Sequence, residues 1–146
     1  MTETSTEIIT IRFLIRGKKM FIEEQQKKLH ERKLKWWEWH KANPDVYDLF
    51  VKYSFEAIEA GRKRYSQWAI INRIRWNKEV ETTGCDEFKI SNDHIAFYAR
   101  LFHAHYPEHK DFFLVKQLKE EKAIDEYNKM EGALDQVASM ASLETI

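Results

Sequence analysis

The chain has 146 residues, a formal net charge of zero, 43% hydrophobic and 14% aromatic residues, and only four glycines and two prolines. A chain of this length buries about 70% of its unfolded surface in one core, and this composition is helical and globular, far from the Pro-rich signature of disorder. A single cysteine, Cys85, excludes an intramolecular disulfide, and the longest apolar run, Ile8 to Ile15, is interrupted by Thr10 and Arg12, well short of the roughly 18 residues that span a bilayer.

Taken in order, the first segment, Glu7 to Arg16, places Ile9, Ile11, Phe13 and Ile15 at period two. That alternation of β-branched residues predicts a strand, ended by Gly17-Lys18-Lys19. Glu3 and Glu7, with no basic residue before Arg12, do not read as a signal peptide. Residues 1–20 are therefore expected to be an N-terminal extension. From Phe21 to Lys41 the pattern turns helical, with Ile22, Leu29 and Trp36 at heptad spacing and Trp36, Trp37 and Trp39 crowding the end.

Asn43-Pro44-Asp45 is a helix start, with an N-cap oxygen, a proline at the first helical position and an acid against the dipole. Val46, Leu49, Phe50, Tyr53, Ala57 and Ala60 share its inner face, and Gly61 closes it in the left-handed conformation. Ser66 caps the next helix, with Ala69, Ile70, Ile74 and Asn77 on one side, running to about Val80. Thr82-Thr83-Gly84 breaks it. Glu87 to Ser91 alternates Phe88 and Ile90 against Lys89, as a short strand or wing would. Ser91 or Asn92 then caps a third helix with Ile95, Tyr98, Ala99 and Phe102 inward, ended by Pro107.

Phe112, Phe113, Val115 and Leu118 close a helical core domain of residues 21–118. Residues 119–146 read as an acidic helix and tail, with Ile124, Tyr127, Leu134, Val137 and Ala141 as a sparse stripe, Met130 beside it and fraying from Ser139. The expected fold is mainly α: a compact helical domain with a short strand or wing, winged-helix-like in outline, plus peripheral N- and C-terminal helices. The C-terminal stripe and an unpaired N-terminal strand are both routes to a homodimer.

Enzyme chemistry finds little support. His94, His103, His105 and His109 lie near Cys85 and Asp86, but His103 and His105 point to different sides of a helix and the His105–His109 spacing crosses Pro107, so no metal is expected. Glu23-Glu24, Asp86-Glu87 and Glu120-Glu121 have no nucleophile beside them, and the glycines occur singly, without a phosphate loop. No cofactor and no catalytic residue are expected.

Charge is unevenly spread. Between Gly61 and Val80 there are six basic residues and one acidic; from Lys119 to Ile146 there are three basic and seven acidic. Arg62-Lys63-Arg64, then Gln67 and Trp68, then Arg73, Arg75 and Trp76, set cations and amides at a helix start where phosphate oxygens are favoured, with rings that stack on bases. The bland alternative is a solvated turn, with Arg73 and Arg75 paired to Glu79 and Asp86-Glu87.

The run His40-Lys41-Ala42-Asn43-Pro44, Tyr47, Leu49-Phe50, Gly61-Arg62, Tyr65-Ser66, Arg73-Ile74-Arg75-Trp76, Phe88-Lys89-Ile90-Ser91-Asn92, Tyr98-Ala99-Arg100-Leu101, Pro107 and Phe112-Phe113 resembles small bacteriophage- and prophage-encoded proteins of no assigned activity. The resemblance covers about residues 36–118 and implies an accessory protein of the bacterial host cytoplasm. Within it Lys89, Asn92 and Arg100 are not accounted for by helix punctuation and join the candidate site. Two partner classes follow: DNA or RNA bound through the basic helix start, or a host or defence protein modulated through the Arg and Trp surface.

Overall fold

The computed structural model describes residues 2–82 and 86–144; the side chains of residues 2–6, 8, 134, 138 and 140–144 lie outside that description. Among the described residues the chain is mainly helical: α1 (Thr2–Ala42), α2 (Pro44–Glu59), α3 (Gln67–Trp76), α4 (Asn92–His105) and α5 (Lys119–Glu144). A π-helical turn, Asn77–Glu81, extends α3, and a 3-10 turn, Pro107–His109, follows α4. The chain divides into two compact units, one of residues 1–31 with 117–146 and the other of residues 32–116.

The core of the 32–116 unit is aromatic. Val46, Phe50 and Tyr53 of α2, Ile70, Ile71 and Ile74 of α3 and Ile95, Tyr98, Ala99 and Phe102 of α4 are buried together with Phe88, Phe112 and Phe113. Tyr98 lies at the centre, stacked on Tyr47 at 5.8 Å and met edge-on by Trp36 at 5.4 Å. Trp36 and Trp39 pack against this core while Trp37 stays 47% exposed, so two of the three tryptophans anchor the end of α1. Arg32 adds a two-pronged ion pair to Asp93 at the start of α4, at 2.7 and 3.1 Å.

The punctuation works largely as the residues dictate. Gly61 takes φ +95°, and the amides of Gly61 and Arg62 donate to the carbonyls of Ile58 (2.9 Å) and Ala57 (3.1 Å), the paired bonds of a Schellman ending. Ser66 accepts from the Trp68 amide and Ser91 from the His94 amide, each capping its helix. Asn43 differs: its side chain donates to the Trp39 carbonyl at 2.9 Å, satisfying the end of α1 where a cap for α2 was expected.

Two strand expectations are corrected. Residues 7–16 are helical, part of the continuous α1, and Gly17 is carried inside that helix at a cost of about 1 kcal/mol relative to alanine. With no strand there, strand pairing is not a route to a dimer. Residues 87–90 form no ladder: Phe88 is buried, Lys89 exposed and Ile90 half-buried, as alternation demands, but no neighbouring strand pairs with them. The one isolated β-bridge among the described residues joins Tyr65 to Phe113, so the helical unit carries no wing.

In the other unit, Ile22 of α1 and Tyr127 of α5 are buried, and Lys18 Nζ lies 3.9 Å from Met130 Sδ. Ile124 and Met130 are half-buried and Val137 is 63% exposed. The helix runs through Glu144, past the expected fraying point at Ser139. The stripe positions Leu134 and Ala141 fall among the side chains outside the description, as do the break residues Thr83 and Gly84 and the lone Cys85.

Candidate nucleic-acid or partner interface

The turn between α2 and α3 is built from both ends. Behind it stands the Schellman ending at Gly61; ahead of it, the closing strip of residues 111–115 holds the chain. The Tyr65 amide donates to the Phe112 carbonyl at 2.9 Å, and Gln67 Nε2 donates to the Leu114 carbonyl at 3.1 Å. The strip is fixed in turn by His103, whose Nε2 accepts from the Phe113 amide at 3.0 Å while its ring stacks on Phe113 at 5.7 Å. That bond requires Nε2 to be unprotonated, and burial holds the His103 imidazole below its usual range, opposed in part by Asp111.

Arg62, Lys63 and Arg64 leave this fixed turn exposed, and none forms an ion pair or side-chain hydrogen bond with a described residue. Tyr65 (40% exposed) and Trp68 (49% exposed) follow them. At roughly 100° per residue, Trp68, Asn72 and Trp76 rise along the outer side of α3, with Trp76 56% exposed.

The remaining cations do not join that group. Arg73 pairs with Glu81 at 3.0 Å and lies 4.5 Å over the Tyr53 ring. The hydrogen bond to Glu81 raises the Arg73 pKa, and bonds from Asn77 and then Arg73 lower that of Glu81. Arg75, on the other flank of α3, donates to Asn72 at 2.8 Å and to the Phe88 carbonyl at 3.5 Å. Lys89 makes an exposed pair with Glu87 at 3.5 Å, Arg100 donates to the Lys116 carbonyl at 2.8 Å, and Asn92 opens α4, exposed. The expected partners of the bland alternative are also rearranged: Glu79 accepts from the Phe88 amide, and Lys78, not Arg75, takes a distant acid, Asp45.

No family model matches this chain, and no curated protein or solved structure is detectably similar to it. The geometry alone therefore bears on its function.

Five of the six histidines have aromatic neighbours. His40 Nδ1 meets the Tyr98 hydroxyl at 2.9 Å, His105 Nδ1 meets the Tyr47 hydroxyl at 2.6 Å, His94 lies against Trp39 at 5.6 Å, and His109 meets Phe55 edge-on at 5.6 Å. Burial, with Tyr106 beside it, pushes the Tyr47 hydroxyl up to about 12, and burial raises Tyr98 further. Both phenols are thus neutral hydrogen-bonding groups near neutral pH, the opposite of what a phenolate nucleophile or base requires. Burial likewise depresses His94. Among the described residues no three His, Cys, Asp or Glu side chains gather where a metal ion would sit.

Sequence reasoning missed what Gln67 and His103 do. Gln67, expected to meet phosphate, is tied to the Leu114 carbonyl, and His103 serves as a backbone acceptor. Neither partner has a sequence signal, because both contacts depend on the return of the strip after Pro107.

Proposed function

We propose that this protein is a non-enzymatic accessory protein that binds nucleic acid through a narrow surface, the Arg62-Lys63-Arg64 turn with Tyr65 and Trp68. The observation that carries this reading is that three consecutive cations, on a turn held at both ends, pair with no described residue. Three cations on a fixed backbone suit adjacent phosphates, and the two exposed rings beside them offer stacking surface to unpaired bases. Arg73, Arg75, Lys89 and Arg100 are engaged elsewhere and are not part of the surface proposed. The small footprint fits backbone contact without sequence readout, since phosphate contacts position a protein without identifying bases. Among the described residues there is no wing, so the proposed contact is not of the winged-helix kind.

The setting of a phage- or prophage-encoded protein acting in a bacterial host belongs to the same proposal and rests on residues 36–118 alone. The test is fluorescence anisotropy of labelled single-stranded and duplex oligonucleotides with the native chain and with Arg62→Glu/Lys63→Glu/Arg64→Glu. Binding that weakens with salt and is lost in the variant supports the proposal; equal binding by both proteins refutes it.

A second reading is favoured by a separate observation. Trp76 and Asn72, with the half-buried Arg75 bonded to Asn72, continue the outer side of α3 beyond Trp68 as a Trp and Arg ridge. Trp and Arg dominate protein-binding hot spots, so this ridge suits a host protein as partner. A photo-crosslinker at Asn72 that captures one host protein, with capture lost in Trp76→Ala and kept in the charge-reversed variant, supports this reading over the first.

A further inference from the structure

The first half of α1 has two apolar sides, and only one of them is used. Ile22 is 6% exposed, and Ile15 and Leu29 are half-buried on the same side, in the unit shared with α5. At roughly 100° per residue, Ile9, Phe13 and Met20 fall on the opposite side of the helix, with Gly17, Leu14 and Phe21 continuing the arc. Their exposures are 67% for Ile9, 75% for Phe13, 66% for Met20, 59% for Leu14 and 51% for Phe21. Between residues 9 and 21 no charged residue lies in that arc. Gly17 adds no bulk to it, and space above its Cα is open.

The flanks are basic. Arg12, Arg16 and Lys19 line one edge of the apolar arc, all exposed and none in an ion pair with a described carboxylate, while Lys18, between the arc and the packed side, reaches Met130 of α5. No acidic residue occurs between Glu7 and Glu23. A second copy of this chain, offering the same arc, would bring those cations toward each other. An anionic surface with an apolar interior fits both features at once, because long basic side chains lay their stems along the apolar face and reach phosphates with their heads.

We propose that residues 9–21 of α1 form a peripheral membrane-binding face, lying in the plane of an anionic lipid surface with Ile9, Phe13, Met20 and Phe21 among the acyl chains. The stretch is roughly 18 Å long, enough to lie in an interface, and no helix among the described residues is long and apolar enough to cross a membrane. The sequence lacks a run long enough to span a bilayer, and a helix lying on the surface needs none.

The test is co-sedimentation of the full chain with vesicles of phosphatidylcholine alone or with 30% phosphatidylserine added (a charge fraction of roughly physiological order). The native chain is expected to pellet with the anionic vesicles, and much less with neutral ones or at high salt. Phe13→Ser/Met20→Ser should lower partitioning on the order of tenfold or more. Arg12→Gln/Arg16→Gln/Lys19→Gln should lower it on the order of a hundredfold, at about fivefold per cation. Both variants change exposed positions, and circular dichroism checks their helicity. If the serine variant loses helicity, the glutamine variant decides the outcome alone. Failure of the native chain to bind anionic vesicles at low salt overturns the proposal, as does unchanged binding by the variants. A native dimer in sedimentation velocity that Phe13→Ser/Met20→Ser converts to monomer, without vesicle binding, overturns it in favour of self-association.

Discussion

Charge reversal of Arg62, Lys63 and Arg64 has a consequence that can be calculated before it is measured. If these three cations alone meet phosphates, log K should fall with log salt with a slope of about −2.7 on duplex and about −2.1 on single strands. Between 50 and 200 mM salt that is a loss of roughly 40-fold and 20-fold respectively. Had Arg73, Arg75, Lys89 and Arg100 also contributed, the duplex slope would approach −6 and the loss would reach several thousandfold. The pairing of Arg73 with Glu81 and the bonds of Arg75 and Arg100 to neighbouring oxygens favour the shallow value. Anisotropy titrations at five or six salt concentrations distinguish the two cases. The triple variant should flatten the slope toward zero while its stability stays within about 0.5 kcal/mol of native, since exposed residues without partners are being changed. A native duplex slope of −5 or steeper would show that the engaged arginines are released on binding, and the reasoning from their partners would be wrong.

Other expectations concern the scaffold that holds the turn. Gly61→Ala should cost about 1–2 kcal/mol in urea unfolding: φ +95° strains an L residue, although a Cβ there meets nothing within 4 Å, and Gly61→Asn should cost less than Gly61→Val. His94 and His103 have folded pKa values held below the unfolded value, so stability is complete above the unfolded range near 6.5 and declines as pH falls through the lower folded values. Urea midpoints at pH 7.5 and 5.5 should show that fall. His103→Leu should reduce the fall while lowering stability at pH 7.5 by about 1–3 kcal/mol, because the Phe113 amide loses its acceptor. Phe102→Ala, at a position with no exposed surface, should cost about 3–5 kcal/mol in the same assay.

Much of the helical framework was legible because it is written in local chemistry. Asn43-Pro44, Gly61, Ser66, Ser91 and Pro107 mark helix ends through backbone geometry and capping, which depend on few distant residues. The period-two isoleucines of residues 9–15 misled for a physical reason: a helix with two apolar sides places hydrophobic residues at almost every spacing, including two. Residues 87–90 show the reverse case, where the alternation is real in burial but a strand needs a neighbour and the described residues offer none. Engagement of Arg73 and Arg75 was legible as an alternative, but their partners were not. Arg73 finds Glu81 and the Tyr53 ring, Arg75 the Phe88 carbonyl and Arg100 the Lys116 carbonyl, and such contacts are fixed only when the helices pack.

The bonds from Tyr65 to Phe112 and from Gln67 to Leu114 bridge stretches of chain almost fifty residues apart. The shape of the basic turn is consequently a report on the whole 32–116 unit. Damage far from any cation, at His103 or in the segment after Pro107, would change what the turn can grip before it unfolds anything. Ligand affinity and local opening of that strip should therefore rise and fall together across a series of variants, which makes hydrogen exchange at the Tyr65 amide a gauge of competence for binding.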